Sequence, residues 1–239
     1  MPKPPSNKPP SIKLAANNVD KVKLKDRRER TASSRQWLLR QLNDPYVHKA
    51  KHLGYRSRAA FKLLEIDQKF KLLKPGITVI DLGAAPGGWA QVAIEKVITT
   101  KKRGLIVAID LQDIKPLTDI TFLQGDFLDE SVQVQLQTLV PNKADVVLSD
   151  MAAPACGMTD VDHIRIMDLL ENVYEFCLTS LKPDGAMVAK VLRGGAENVL
   201  LQKLKKSFSK VVHFKPPASR QGSSEMYVVC LGFRDDSSV

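Results

Sequence analysis

VIDLGAAPGGWAQ, residues 79–91, joins an apolar, β-branched run to a glycine-rich turn and then to the start of a helix-like stretch. In a strand–turn–helix unit the turn is where the polar end of a ligand is held. Two phosphate motifs can be tried on it. The dinucleotide fingerprint G-x-G-x-x-G fails, because its second glycine position is Ala85. The phosphate loop G-x-x-x-x-G-K-[ST] matches Gly83 and Gly88 but then meets Trp89 where it needs lysine. What remains is an acid, Asp81, two residues ahead of Gly83. A carboxylate there repels phosphate and suits a cationic amino group, such as the methionine part of S-adenosylmethionine. Gly83, Gly87 and Gly88 are expected to let the backbone come close to such a ligand.

Outward from this turn the chain alternates. Apolar runs stand at 77–82, 105–110, 120–123, 144–149, 186–192, 211–214 and 226–233, with helix-like stretches at about 87–98, 129–140, 161–181 and 195–208. Short apolar strands alternating with helices predict an α/β, Rossmann-like doubly wound sheet covered on both faces. The last two runs are joined only by KPPASRQGSSE (215–225), too short for a helical crossover, so the last strand is expected to be antiparallel. Seven strands on this plan match the class I methyltransferases. Upstream, SSRQWLLRQLN (33–43) and SRAAFKLLEIDQKF (57–70) read as helices, the second with Ser57 as its N-cap. On a helical wheel Ala60, Leu63, Leu64 and Phe70 fall on one side, and Arg58, Lys62 and Lys69 on the other as a basic stripe.

In a doubly wound sheet, ligands lie beyond the carboxyl ends of the strands, where the strand order reverses. Each of the first three strands ends on or near an acid. Asp81 belongs to the first. Asp110 closes the second, where a carboxylate can accept both ribose hydroxyls of an adenosine. Asp126, in QGDF, follows the third and is placed to meet the adenine amino group. Singly, such acids more often cap helices; three together beside a turn that fits neither phosphate motif point to S-adenosylmethionine.

The fourth run ends VVLSDMAAP (146–154), which puts Asp150 where the transferred methyl would be faced. Asp-Pro-Pro-Tyr or Asn-Pro-Pro-Tyr there would suggest an amino nitrogen as acceptor, and this segment is neither. Lys190 interrupts the apolar run VAKVL. A lysine snorkelling from an edge strand is the bland explanation; apolar neighbours on both sides favour burial or function. Glu225 opens the last run.

YRSRAAFKLLEI, DLGAAPGGW, LSDMAAP, VAKVLRG and RQGSSEMYVV, in that order, resemble the FtsJ/RrmJ family of ribose 2'-O-methyltransferases. The resemblance runs from about Ser33 to Phe233. It implies a catalytic Lys-Asp-Lys-Glu tetrad at Lys62, Asp150, Lys190 and Glu225, and cofactor contacts at Gly87, Trp89, Asp110, Asp126 and Asp150. It also implies an S-adenosylmethionine-dependent enzyme that methylates a uridine ribose in the A loop of 23S rRNA, within the 50S ribosomal subunit. RGGAENVLL (193–201) departs from the more familiar acidic, glutamine-containing form. The chemistry fits the residues. A ribose hydroxyl is a poor nucleophile, so a base must take its proton as the methyl moves in line from sulfur to oxygen. A lysine whose ammonium form is disfavoured by burial and by a second cation can be that base.

Composition bounds the rest. With 239 residues, 44% hydrophobic and 26% charged, the chain is long enough for one domain and an appendage. No apolar run reaches the roughly 18 residues that span a bilayer. The three cysteines, Cys156, Cys177 and Cys230, match no zinc spacing and suit a reducing, cytoplasmic setting. The net charge of +10 favours a polyanionic partner. Residues 1–31 carry nine Lys/Arg against three Asp/Glu and five prolines in the first ten positions. They read as a flexible basic tail ahead of a methyltransferase domain at 32–239, either a plain solvated leader or an electrostatic arm for RNA. A second basic array, Arg56, Arg58, Lys62 and Lys69, is expected to guide RNA to the site. A monomer that needs no metal is expected. Relatives acting on tRNA or an mRNA cap share the tetrad, so another RNA, or a non-catalytic RNA-binding role in ribosome assembly, stays open at this point.

Overall fold

The structure, a computed structural model, describes residues 32–154, 156–193 and 198–235. The proposed tail at 1–31 lies outside them, as do positions 194–197 of the divergent segment. Contacts divide the chain between Asp44 and Pro45. Helix α1 (Ala32–Leu42) falls before that point, and the sheet and all other elements after it.

The second unit opens with α2 (Pro45–Leu53) and α3 (Ala59–Phe70). Then strands and helices alternate: β1 (Thr78–Leu82), α4 (Gly88–Val97), β2 (Leu105–Asp110), β3 (Thr121–Gln124), α5 (Glu130–Leu139), β4 (Ala144–Ser149), α6 (Thr159–Ser180), β5 (Leu181–Leu192), α7 (Asn198–Ser207), β6 (Phe208–Phe214) and β7 (Glu225–Phe233). The seven strands form one sheet in the order β3-β2-β1-β4-β5-β7-β6. All neighbours are parallel except β7, which runs against both β5 and β6. This is the doubly wound, class I methyltransferase sheet, and its order reverses between β1 and β4.

The period of two along each strand sorts side chains between two cores. Ile80, Leu82, Val147, Met187, Ala189 and Val228 face a core completed by α5, α6 and α7. Val79, Val146, Leu148, Val188, Tyr227 and Val229 face a second core with Leu63 and Ile66 of α3 and Trp89 and Val92 of α4. The same parity carries Asp81, Asp150, Lys190 and Glu225 to the α3 side, where the apolar pattern gives way to charge at the carboxyl edge of the parallel strands.

Some local expectations shift. Helix α2 is a missed element; its sequence, PYVHKAKHL, is short and buries little beyond Ala50. Ser57 is not the cap of α3. Arg58 occupies that position without a side-chain cap bond, and the Ser57 hydroxyl is buried with no hydrogen-bond partner among the described residues. Lys62 leaves the basic stripe: it is buried, because α3 is covered on more than one side. Among the described residues no helix is long and apolar enough to cross a membrane.

Candidate active site

The turn after β1 is fastened on both sides. Gly83 N–H and Ala84 N–H both donate to Ile109 O on β2. Asp110, at the end of β2, accepts Ala85 N–H through Oδ2 at 2.8 Å and Gln112 N–H through Oδ1 at 2.9 Å. The glycines of this turn are packed closely by protein atoms. A Cβ on Gly83 would come within 2.7 Å of Met151 Cγ, one on Gly87 within 2.9 Å of Arg56 Nη1, and one on Gly88 within 2.4 Å of Ser57 Oγ. The neighbours that require glycine here are therefore protein atoms packed on the turn. Gly83 and Gly87 also have positive φ (76° and 105°), a second reason for glycine.

Beside the turn lies a cleft of about 430 Å³ at the carboxyl edge of the sheet. Gly83, Asp110, Asp126 and Asp150 line it, with Met151–Pro154 on one wall. Leu111 and Leu128, both exposed, form its apolar rim. Asp126 is exposed, and its Oδ1 accepts Leu128 N–H at 2.9 Å, which sets the turn that presents it.

Asp81, Gly87, Gly88 and Trp89 do not line this cleft. Trp89 is 2% exposed; its indole N–H donates to Ala59 O at 2.8 Å and its ring packs on Tyr227 at 5.5 Å between centroids. It fixes α4 to α3 behind the site. Asp81 is fully buried, and neither carboxylate oxygen has a hydrogen-bond partner among the described residues. Burial, then the nearby Asp150 and Asp110 carboxylates, push its carboxyl up to about 8. An orphaned buried carboxylate is costly unless a cation arrives to pair with it.

The four tetrad residues converge at the edge of the cleft. Lys190 Nζ lies 2.9 Å from Asp150 Oδ1 and 3.7 Å from Glu225 Oε1, and donates to Asp150 O at 2.7 Å. Lys62 Nζ lies 3.4 Å from Glu225 Oε2 and 3.9 Å from Asp150 Oδ1. The register explains the meeting. Ser149 pairs with Ala189, so Asp150 follows beside Lys190; Leu192 pairs with Glu225, across from Lys190's end of β5. Strand β5 is interior, between β4 and β7, so Lys190 is not an edge lysine reaching for water.

Two ammoniums and two carboxylates balance in formal charge, and three of the four are well buried. The side chains of Lys62 and Lys190 are 7% exposed and Asp150 15%, whereas Glu225 is 32% exposed and opens toward solvent. Burial alone would raise both carboxyls. The Lys190 and Lys62 ammoniums outweigh it at Asp150, with help from Tyr227, and the same two ammoniums outweigh it at Glu225, so both sit below the usual carboxylate range. Tyr227 is the residue the sequence reading missed. Its hydroxyl donates to Asp150 Oδ1 at 2.6 Å, and burial, then the Asp150 carboxylate, hold it well above the usual tyrosine range. The signal was available: Tyr227 is two residues from Glu225 in one strand, hence on the same face.

The expected RNA-guiding array is largely engaged with protein. Arg56 donates to main-chain carbonyls of Pro86, Lys115 and Pro116. Arg58 Nη2 donates to Ala218 O at 2.6 Å, and its guanidinium lies over the Tyr46 ring. Lys69 Nζ sits 4.1 Å from the Phe214 ring centroid. No group of residues able to hold a metal occurs among the described residues.

The doubly wound sheet thus carries, at its carboxyl edge, an acid-lined cleft beside a largely buried Lys-Asp-Lys-Glu cluster. Residues 55–233 match the FtsJ-like methyltransferase family, and the chain belongs to that family. It is 55% identical over 218 residues to the ribosomal RNA large subunit methyltransferase E of Paramagnetospirillum magneticum, covering 90% of this chain and 89% of that one. The protein of the same name from Rickettsia felis is 50% identical over 213 residues, covering 88% and 93%. A solved structure described as a ribosomal RNA methyltransferase, from Plasmodium falciparum, superposes with a TM-score of 0.67 at 32% identity, over 75% of this chain and 98% of that one.

Proposed function

We propose that this methyltransferase acts on 23S rRNA of the 50S subunit, placing a methyl group from S-adenosylmethionine on a uridine ribose 2'-oxygen in the A loop. The observation that carries the reading is the Lys62–Asp150–Lys190–Glu225 cluster set against the cleft lined by Gly83, Asp110 and Asp126. The names of the relatives supply the substrate class, large-subunit ribosomal RNA.

The residues fit the cofactor. Asp81, buried and unpartnered, suits the methionine ammonium. Asp110 holds the turn through one lone pair on each oxygen and keeps acceptor capacity for ribose hydroxyls. Asp126 suits an amino group on the base. When bound, S-adenosylmethionine supplies an electrophilic methyl on a sulfonium. The chain's own groups then have three tasks. Of Lys62 and Lys190, the one that remains an ammonium sets positive charge beside the nucleophilic oxygen, which favours the alkoxide as it forms. The 2'-hydroxyl proton passes to a lysine amine in its neutral form, and Glu225, the most open member, links that amine to solvent. Asp150, gripped by Lys190 and Tyr227, keeps the lysine aimed.

Methyl transfer to undermethylated 50S subunits, free tRNA and a capped mRNA, assayed in parallel, separates the readings. Label entering only the 50S particle supports this one. Label entering tRNA or the cap in preference would assign the enzyme to another RNA, and no transfer with intact cofactor binding would favour a non-catalytic role.

A further inference from the structure

Arg56 precedes the first turn of α3 and reaches away from the tetrad. Its Nη1 donates to Lys115 O at 2.6 Å and to Pro86 O at 3.3 Å, and its Nη2 donates to Pro116 O at 2.8 Å. Pro86 belongs to the glycine turn after β1. Lys115 and Pro116 belong to the loop that leaves Asp110. These are the two segments that Asp110 ties together from the cleft side, through Ala85 N–H and Gln112 N–H. Arg56 therefore ties the same two segments from the opposite side.

The arginine is itself anchored. Its backbone N–H donates to Gln91 Oε1 at 2.7 Å, and Gln91 Nε2 donates to Gly54 O at 2.9 Å. Tyr55 OH donates to Glu95 Oε2 at 2.8 Å. The stretch 54–56 is thus held on α4, and the guanidinium projects from a fixed base. Gly87 must lack a side chain for this to work, since a Cβ there would fall 2.9 Å from Nη1 and 3.1 Å from Cδ of Arg56. A planar guanidinium can donate to several carbonyls at once, whereas an ammonium on a flexible stem is a single point charge.

We propose that Arg56 is a positioning residue for the cofactor: it clamps the turn after β1 to the loop after β2 and so sets the shape of the cleft, and it is not a contact for RNA phosphates. The proposal rests on the reading that S-adenosylmethionine occupies the cleft.

Calorimetric titration of S-adenosylmethionine into the full chain, paired with salt-dependent binding of a 23S rRNA transcript, separates the two roles. The variants are Arg56→Ala, Arg56→Lys and Gln91→Leu. Loss of the clamp is expected to weaken cofactor binding about tenfold in Arg56→Ala, to be rescued only in part by Arg56→Lys, and to appear in milder form in Gln91→Leu. RNA affinity and the slope of its logarithm against log salt are expected to stay at wild-type values, because no phosphate contact is removed. Weaker RNA binding with a flatter salt slope and unchanged cofactor affinity would overturn the proposal and make Arg56 a phosphate contact. Equal loss in both titrations, tracking a lowered melting temperature, would also overturn it, since a general fold defect would then suffice. If Arg56→Ala does not fold, Arg56→Lys and Gln91→Leu carry the same comparison. A wild-type protein that fails to bind S-adenosylmethionine would sink the function proposed above, whereas a wild type that binds it and an Arg56→Ala that binds it equally well would sink only the clamp.

Discussion

Lys190 holds Asp150 twice: its ammonium lies 2.9 Å from the side-chain Oδ1 and donates to the main-chain carbonyl at 2.7 Å. A lysine that touches both ends of one residue fixes the backbone of the segment that follows as well as the charge beside it. That segment, Met151–Pro154, is a wall of the cofactor cleft. The proposed catalytic lysine and the proposed methyl-donor pocket are thus joined through a single residue.

Replacing Lys190 separates chemistry from binding. Lys190→Met keeps length and apolar volume but removes the ammonium. Turnover should fall by about 10²–10⁴-fold, the usual contribution of a positioned acid–base group, while S-adenosylmethionine affinity stays within about threefold, because Asp150 keeps its hydrogen bonds to Tyr227 and to Leu82 O. Single-turnover methylation and calorimetry check the two numbers. Near-normal turnover would remove Lys190 from the mechanism.

Tyr227 tests the support of the cluster. Tyr227→Phe deletes only the hydroxyl that donates to Asp150 Oδ1 at 2.6 Å. A hydrogen bond to a charged group contributes about 1.5–3 kcal/mol, and the variant should lose stability of that size in denaturant unfolding. Lys62 and Lys190 still neutralise Asp150, so the fold should survive. A change below about 0.5 kcal/mol would mean the hydroxyl adds nothing to the cluster.

Asp81 makes a pH prediction. Its folded carboxyl is raised to about 8, against about 3.9 in an unfolded chain. The folded state therefore binds the extra proton between these values. The stability this contributes is complete below the unfolded value and is lost as pH rises through the folded one. Asp81→Asn stays neutral and should flatten that fall. Pairing Asp81 with the cofactor's ammonium requires the ionised form, so binding at pH 7 should release about one proton. Titrations in buffers of different ionisation enthalpy count it. The same count in Asp81→Asn as in the wild type would place the proton elsewhere.

The turn can be tested by a paired substitution. Gly88→Ala puts a Cβ 2.4 Å from Ser57 Oγ and should cost about 1–3 kcal/mol by overpacking. Ser57 Oγ is buried without a partner, so Ser57→Ala alone should be neutral or stabilising. The double variant should recover most of the loss. If it is no better than Gly88→Ala alone, the clash is not what glycine avoids.

Much of this was legible in the sequence, and the reasons are physical. The strand-end acids and the glycine turn could be read because a doubly wound sheet puts ligands at one edge. Lys190 stood out because charge inside an apolar strand needs an explanation. Tyr227 was overlooked because a tyrosine in an apolar strand looks like core, although its place two residues from Glu225 puts it on the face of the cluster. Arg56 was read as part of an RNA-guiding array, and its carbonyl partners, 30 to 60 residues away in sequence, were not foreseen because they are set by loop geometry that no local pattern encodes. The glycines were read as places where the backbone meets a ligand; that Met151, Arg56 and Ser57 also pack against them follows only from the fold.

The central claim is transfer to a ribose oxygen by the Lys62–Asp150–Lys190–Glu225 cluster, and alkaline hydrolysis tests it most directly. A 2'-O-methyl group blocks strand cleavage at its own nucleotide, so undermethylated 50S subunits labelled with methyl-tritiated S-adenosylmethionine should give label in alkali-resistant dinucleotides bearing 2'-O-methyluridine. Lys190→Met should give label at a rate about 10²–10⁴-fold lower. Label recovered in alkali-labile mononucleotides, with the methyl on the base, would contradict the account.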